Sequence, residues 1–391
     1  MRPWRLPGWT WPAAGALLLV LLGDEPIRPA LDAVASQWNV LLFIFGLMAL
    51  SAAAEESGAF HWITQRLLAQ AAGSQRRLFV YLFLTGAVVT LLLSNDATAI
   101  AFTPIVYRAA VKESHVAPEP FLFACVFVAN AASFGLPFSN PANVLILPHA
   151  RLLPYLQHLG PPQVAALLIA LGVFLFFYRR ELSGTYPVPA APPVGARTIR
   201  TMAAMLGLAL AYVVALLQGW PLGLVASIGG FVVCVIAGAA PDRTLRRISW
   251  GTFALLAGLF VLLDAVTRAG LTQWALGELD ASARYGSFAL NAIGASGAAL
   301  IANALNNLPV AVAASYVVAH PPTTHLAYAL ILGVDVGPNL LTTGSLATIL
   351  WLSVLRGYGL HMSRRQYLRI GLVIVPSTLA AGVLWLGALA R

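Results

Sequence analysis

Four polar interruptions break long apolar runs in this chain. The first, Ser94-Asn95-Asp96, lies inside LLLSNDATAIAFTP at residues 91–104, and another places Asn303, Asn306, Asn307 and Pro309 within the apolar segment 286–318. Between and beyond them come two longer polar stretches. One carries Asn130, Ser133, Gly135, Pro137, Ser139, Asn140, Pro141 and Asn143; the other carries Asp335, Gly337, Pro338, Asn339, Thr342, Thr343, Gly344 and Ser345. A structural kink needs only a proline or glycine, and Asn or Ser alone can cap a helix end. This density of amides and hydroxyls exceeds both needs and suits a site that replaces the hydration shell of a small polar solute. The candidate substrate ligands are therefore Ser94, Asn95, Asn130, Ser133, Ser139, Asn140, Asn143, Asn306, Asn307, Asn339, Thr342, Thr343 and Ser345. Asp96 and Asp335 are the acidic residues set deepest in the interrupted segments. A carboxylate there can take up and release a proton, which makes both candidate proton-coupling groups.

Other chemistries find no support in the residue pattern. No His, Cys and carboxylate cluster has metal-ligand spacing, no glycine-rich loop leads into a phosphate-binding lysine, and no nucleophile is paired with a base. The expectation is a protein that is not an enzyme and uses no cofactor. Cys125 and Cys234 sit in apolar runs and read as packing residues. Asp264 precedes Arg268 by one helical turn and reads as an ion pair, whereas Glu55 and Glu56 are expected to stay hydrated at a helix end.

The elements that must position these groups are membrane helices. Of 391 residues, 59% are hydrophobic and 9% charged, with a mean hydropathy of +0.81. A water-facing surface needs about 25% charged residues, so the bilayer is the solvent that fits. Apolar runs at 8–23, 38–57, 162–178, 201–218, 221–240, 250–268 and 369–390 read as crossings, several of them near the ~20 residues a helix needs. The segments 119–147 and 325–352 read as broken crossings, and 78–107 and 286–318 as re-entrant hairpins. Segments 60–72 and 271–280 read as helices lying along the interface. With the N-terminus cytoplasmic, eighteen of the 23 Lys and Arg residues fall in inside loops, which explains the formal net charge of +9 without a nucleic-acid partner. The expected location is the cytoplasmic (inner) membrane, multi-pass.

An internal repeat organises the chain. Gly58, Trp62 and Asn95 match Gly270, Trp274 and Asn307 at a constant offset of 212 residues, each set within the same order of crossing, interfacial helix, hairpin, broken crossing and crossing. The hairpins then open to opposite sides. The fold class expected is an all-α polytopic membrane protein with inverted structural repeats, two re-entrant hairpins and two discontinuous transmembrane helices. Its parts are an N-terminal helix and outer loop at 1–37, a first transport repeat at 38–180, a linker with connecting helices at 181–249, and a second, inverted repeat at 250–391.

At these motifs the chain resembles the arsenite efflux permeases of the ion transporter superfamily. The resemblance runs over almost the whole chain and is carried by Ser94-Asn95-Asp96-Ala97, by Ser133 with Ser139-Asn140 and Asn143, and by Asn306-Asn307-Leu308-Pro309. Its longest motif is Asp335-Val336-Gly337-Pro338 followed by Gly344-Ser345-Leu346-Ala347-Thr348. The resemblance implies export of arsenite or antimonite, driven by proton entry or assisted by a separate cytoplasmic ATPase subunit. The chain departs from the family pattern at Asn130, where the pattern has Asp, at Asn339, where it has Lys, and at Thr343, where it has Pro. A related superfamily transporter for sodium ions or for an inorganic or small organic anion is the alternative reading.

Overall fold

Apolar sequence that cannot leave backbone N–H and C=O groups bare in hydrocarbon must close its hydrogen bonds within helices. The computed structural model, which describes residues 9–113, 116–190, 193–270, 277, 286–319 and 324–389, meets that demand. Among the described residues it is all-helical apart from one isolated bridge between Ser74 and Thr185. Seven described helices are long and apolar enough to cross a membrane.

The chain opens with α1 (Thr10–Leu22), α2 (Ile27–Ala35), α3 (Trp38–Glu56) and α4 (Ala59–Gln70). The first hairpin is α5 (Gln75–Leu92) and α6, a return arm over 95–113. The first broken crossing is α7 (Pro118–Ala131), a 3₁₀ turn at Pro137–Ser139, and α8 (Pro141–Ile146). Four helices follow: α9 (Leu152–Phe177), α10 (Ala196–Gln218), α11 (Leu222–Ala237) and the short α12 (Pro241–Arg247). The second repeat runs through α13 (Trp250–Arg268), the hairpin α14 (Ser287–Leu305) and α15 (Asn307–Val318), and the broken crossing α16 (Thr324–Val336) and α17 (Leu346–Gly357). It ends on α18 (Arg364–Leu389). The expected interfacial helix at 271–280 lies, but for residue 277, outside the described residues.

The repeat is visible in the backbone. Gly58 and Gly270, the matched pair, both close the first helix of their repeat at positive φ, +74° and +80°, where a side chain would be strained. Asn95 and Asn307 both open the return arm of a hairpin. In α6 the turns widen to π-helical spacing at Thr98–Phe102. Pro104 has no N–H to offer the carbonyl of Ile100, so the widening falls where the α-helical ladder would break.

Each repeat's first helix is clasped by helices from elsewhere in the chain. α3 presents Asn39, Leu42, Gly46 and Ala49 to α11, where Gly223 N–H donates to Asn39 Oδ1 at 2.8 Å and Ser227 Oγ to the Leu42 carbonyl at 2.8 Å. A Cβ at Gly230 would stand 2.7 Å from the Gly46 carbonyl oxygen, so close packing of small residues holds this pair. α13 is clasped by α1 and α2 in the same manner. Both helices are then pinned at their ends by ion pairs of opposite sense. Glu56 of α3 meets Arg243 of α12 at 3.3 Å, and Arg268 of α13 meets the buried Glu25 of the α1–α2 turn at 3.6 Å. Arg268 also pairs with Asp264 at 2.8 Å, as its spacing predicts. Glu55 and Glu56 are not simply hydrated: Glu55 pairs with Arg247 at 2.7 Å.

Three helices depart from the sequence expectation. α2 occupies the expected outer loop and α12 an expected connection; both are too short for a periodicity signal to declare itself. α9 begins ten residues before the expected crossing and keeps Pro161 and Pro162 in its interior. Pro161 leaves the Gln157 carbonyl without its usual donor, and the Trp385 indole N–H of α18 supplies one at 2.9 Å. A Trp385→Phe variant is expected to lower the unfolding free energy by about 1 kcal/mol, read as a lower thermal midpoint in detergent.

Candidate functional site

The broken crossings are where helices stop in the protein interior, and each stop needs partners for its free carbonyls and amides. α8 opens with Asn140 as its cap, Oδ1 accepting from Ala142 N–H at 3.1 Å, and α17 opens with Ser345, Oγ accepting from Thr348 N–H at 3.1 Å. Asn140 and Ser345 are 205 residues apart. So are Asn130 and Asp335, the next-to-last residues of α7 and α16.

These four residues exchange contacts across the repeats. Asn140 Nδ2 donates to Asp335 Oδ1 at 2.6 Å, and Ser345 Oγ donates to Asn130 Oδ1 at 3.1 Å. Each broken helix end is thus bonded to the cap of the other repeat's helix start. Asn130 Nδ2 continues the net to Asn339 Oδ1 at 3.0 Å and Thr348 Oγ1 at 3.3 Å. Asn339 in turn donates to the Phe127 carbonyl at 3.3 Å. All six side chains are at most 1% exposed. Two of the three positions at which the chain departs from the arsenite-permease pattern, Asn130 and Asn339, are therefore one contact. An amide pair stands where the family pattern would put an acid against a base.

Matched bonds tie each broken crossing to its own hairpin and final helix. Ser139 Oγ donates to the Leu91 carbonyl at 2.9 Å and Thr343 Oγ1 to the Asn303 carbonyl at 3.1 Å, both near the end of the hairpin's first arm. Gln163 of α9 donates to the Ala131 carbonyl at 2.6 Å, and Tyr367 of α18 to the Pro338 carbonyl at 3.0 Å. Asn303 adds a second staple: Nδ2 donates to the Gly337 carbonyl at 2.8 Å and Oδ1 accepts from Leu341 N–H at 2.9 Å.

The remaining candidates divide by position. Asn143 donates to the Ser133 carbonyl at 2.8 Å, and Ser133 Oγ to the Asn130 carbonyl at 2.8 Å, so both shape the first break. Ser94 caps α6 by accepting from Ala97 N–H, and Asn95 Oδ1 accepts from Asp96 N–H at 2.9 Å. Asn306 caps α15 at φ +84°, an unusual setting for a side-chain-bearing residue. Thr342 and Thr343 lie toward the exposed edge, away from the cross-repeat net. Among the candidates, three buried acceptors lack a described partner, Asp335 Oδ2, Asn143 Oδ1 and Asn307 Oδ1, and so does Gln163 Oε1 beside the first break. The Asp96 carboxylate likewise takes no hydrogen bond from a described residue. Thr348 was absent from the candidates, although its place three residues after a capping serine could have marked it. Asn303 was read only as a helix interruption.

Two outcomes are expected. Asn130→Ala strands Ser345 and Asn339 and should cost about 2–3 kcal/mol, seen as a marked drop in thermal midpoint and in monodisperse yield. Asn306→Ala should cost about 1–2 kcal/mol through loss of the cap, whereas Asn306→Gly should be within a few tenths of wild type because glycine relieves the positive φ; denaturation of purified variants reads both.

Among the described residues, no group of three or more His, Cys, Asp or Glu could hold a metal ion. The comparisons with known proteins agree with a transport fold. Residues 4–333 match the family model described as citrate transporter. The arsenical pump membrane protein of Yersinia enterocolitica is 29% identical over 390 residues, covering 94% of this chain and 90% of that protein. The arsenical pump membrane protein of Escherichia coli is 28% identical over 386 residues, again covering 94% and 90%. Of solved structures, the YdaH transporter of Alcanivorax borkumensis aligns with a TM-score of 0.56 at 14% identity, over 95% of this chain and 87% of that one. MtrF of Neisseria gonorrhoeae aligns with a TM-score of 0.56 at 11% identity, over 96% and 84%. The two structural likenesses speak to the fold alone, and the family match spans far more than half the chain: this multi-pass membrane protein belongs to the citrate transporter family.

Proposed function

We propose that this transporter exports arsenite or antimonite, in exchange for protons, across a bacterial or archaeal cytoplasmic membrane. The observation that carries the reading is the charge of the gathered site. Around the two breaks and the two hairpin tips stand amides, hydroxyls, Asp96 and Asp335, and among the described residues no Lys or Arg is bonded to any of them. Citrate is polyanionic near neutral pH, and two carboxylates with no basic partner would repel it. As(OH)3 is mostly uncharged there and offers three hydroxyl donors. Asp335, Asn143 and Asn307 each hold an unpartnered buried acceptor, which suits a solute that donates. The arsenical pump relatives point to the same class of solute.

Outward movement against a gradient needs an energy source. A proton entering through Asp96 or Asp335 draws on the membrane potential, about 2.3 kcal/mol per charge per 100 mV. The positive-inside distribution sets the N-terminus in the cytoplasm in this reading, with the repeats at 38–180 and 250–391 working against the connecting helices at 181–249. A cytoplasmic ATPase subunit is the other source of drive. Vesicles that lack one separate the two.

The test is arsenite uptake into everted vesicles with and without an imposed proton gradient. Wild type is expected to accumulate arsenite only with the gradient. Asp335→Asn keeps an acceptor for Asn140 and should fold, yet fall to the level seen without the gradient. Asp96→Asn tests the other carboxylate. Gradient-driven uptake that survives in both variants would remove them from proton coupling, and absence of arsenite uptake in well-folded wild type would sink the substrate assignment.

A further inference from the structure

α3 has two working faces. The face bearing Asn39, Leu42, Gly46 and Ala49 is locked to α11. On the opposite face Ile44, Met48, Ser51 and Glu55 recur at helical spacing and line a cavity of about 320 Å³. Across the cavity stand Ser94 and Asp96 of the first hairpin tip, so the unpartnered carboxylate of Asp96 borders open space. At the other end lies the Glu55–Arg247 ion pair, 2.7 Å long, with both side chains more than a third exposed at 38% and 39%. From Met48 to Glu55 the helix rises about 10 Å. One cavity therefore leads from a surface ion pair, past Ser51, to a carboxylate at the hairpin tip.

We propose that this cavity is the water-filled access route by which solute and protons from the cytoplasmic side reach Asp96, and that the Glu55–Arg247 ion pair is its outer gate. The cavity holds room for several waters, and Glu55, Arg247, Ser249, Ser51, Ser94 and Asp96 give them partners within an otherwise apolar lining. A half-exposed ion pair has a small net stability, so it opens and closes readily. Its opposed charges cancel at the mouth, which leaves a neutral polyhydroxyl solute unopposed. Glu55 and Arg247 act here as gating residues, apart from the cross-repeat net.

The cytoplasmic assignment rests on the orientation in the exporter reading; the cavity itself does not, and the test needs no arsenite. Single-cysteine variants Ser51→Cys and Met48→Cys, made with Cys125 and Cys234 replaced by Ala, are exposed to a membrane-impermeant maleimide in everted and in right-side-out vesicles. Arg246→Cys, at an exposed position on α12, is the labelling control. The expected result is labelling of Ser51→Cys in everted vesicles only, slower labelling of the deeper Met48→Cys, and a severalfold faster rate for both when Arg247→Gln is added. If the control reacts and neither cavity position does, the access route is wrong. Reaction only in right-side-out vesicles overturns the cytoplasmic placement, and rates indifferent to Arg247→Gln overturn the gate. A failed arsenite assay beside the expected labelling would sink the substrate reading and leave the route standing.

Discussion

Everything in this structure depends on how two helices can stop inside a membrane protein. A broken helix exposes carbonyls and amides that lipid cannot satisfy, at several kcal/mol for each group left bare. Here the other repeat satisfies them. Asn140 caps one helix start and bonds Asp335 at the opposite helix end; Ser345 caps the other and bonds Asn130. Each hairpin's return arm also packs on the second half of the other repeat's broken crossing, α6 on α17 and α15 on α8. Neither repeat closes its own polar centre, so the centre exists only where both meet.

The two halves of that exchange are alike in geometry and unlike in charge. Asn130 is neutral and has both ends of its amide engaged, while Asp335 is ionisable and keeps one oxygen free. A shared backbone plan thus carries a fixed contact at one position and a contact that can change protonation at the other. In the proposed function that difference confines proton uptake within the cross-repeat net to the Asp335 side.

Much of this was legible in the residues because helix breaks demand particular side chains. Asn, Ser, Gly and Pro clustered at 130–143 and 335–345 mark the two breaks, and Gly58 with Gly270 betrays the repeat since positive φ narrows the choice of residue. The partnerships were not legible. Asn130 and Asn339 look like two separate departures until folding sets them 3.0 Å apart, and Thr348 gains its role from a residue more than two hundred positions away. Local rules also misled where a distant group overrode them. The apolar run at 162–178 starts beside Pro161 and Pro162, yet α9 begins ten residues earlier, and the Trp385 indole gives the Gln157 carbonyl the donor that Pro161 lacks. Glu55 and Glu56 read as hydrated because their arginines lie on α12, nearly two hundred residues on.

The swapped ion pairs at the ends of α3 and α13 bear on how the two clasps are anchored. Because the repeats are inverted, matched positions stand at opposite faces of the membrane, so the Glu56–Arg243 pair fixes one clasp at one face and the Arg268–Glu25 pair fixes the other clasp at the other. Each face thus carries one fixed end, and the helices that hold the two repeats cannot slide along the membrane normal in the same direction without breaking one of the two.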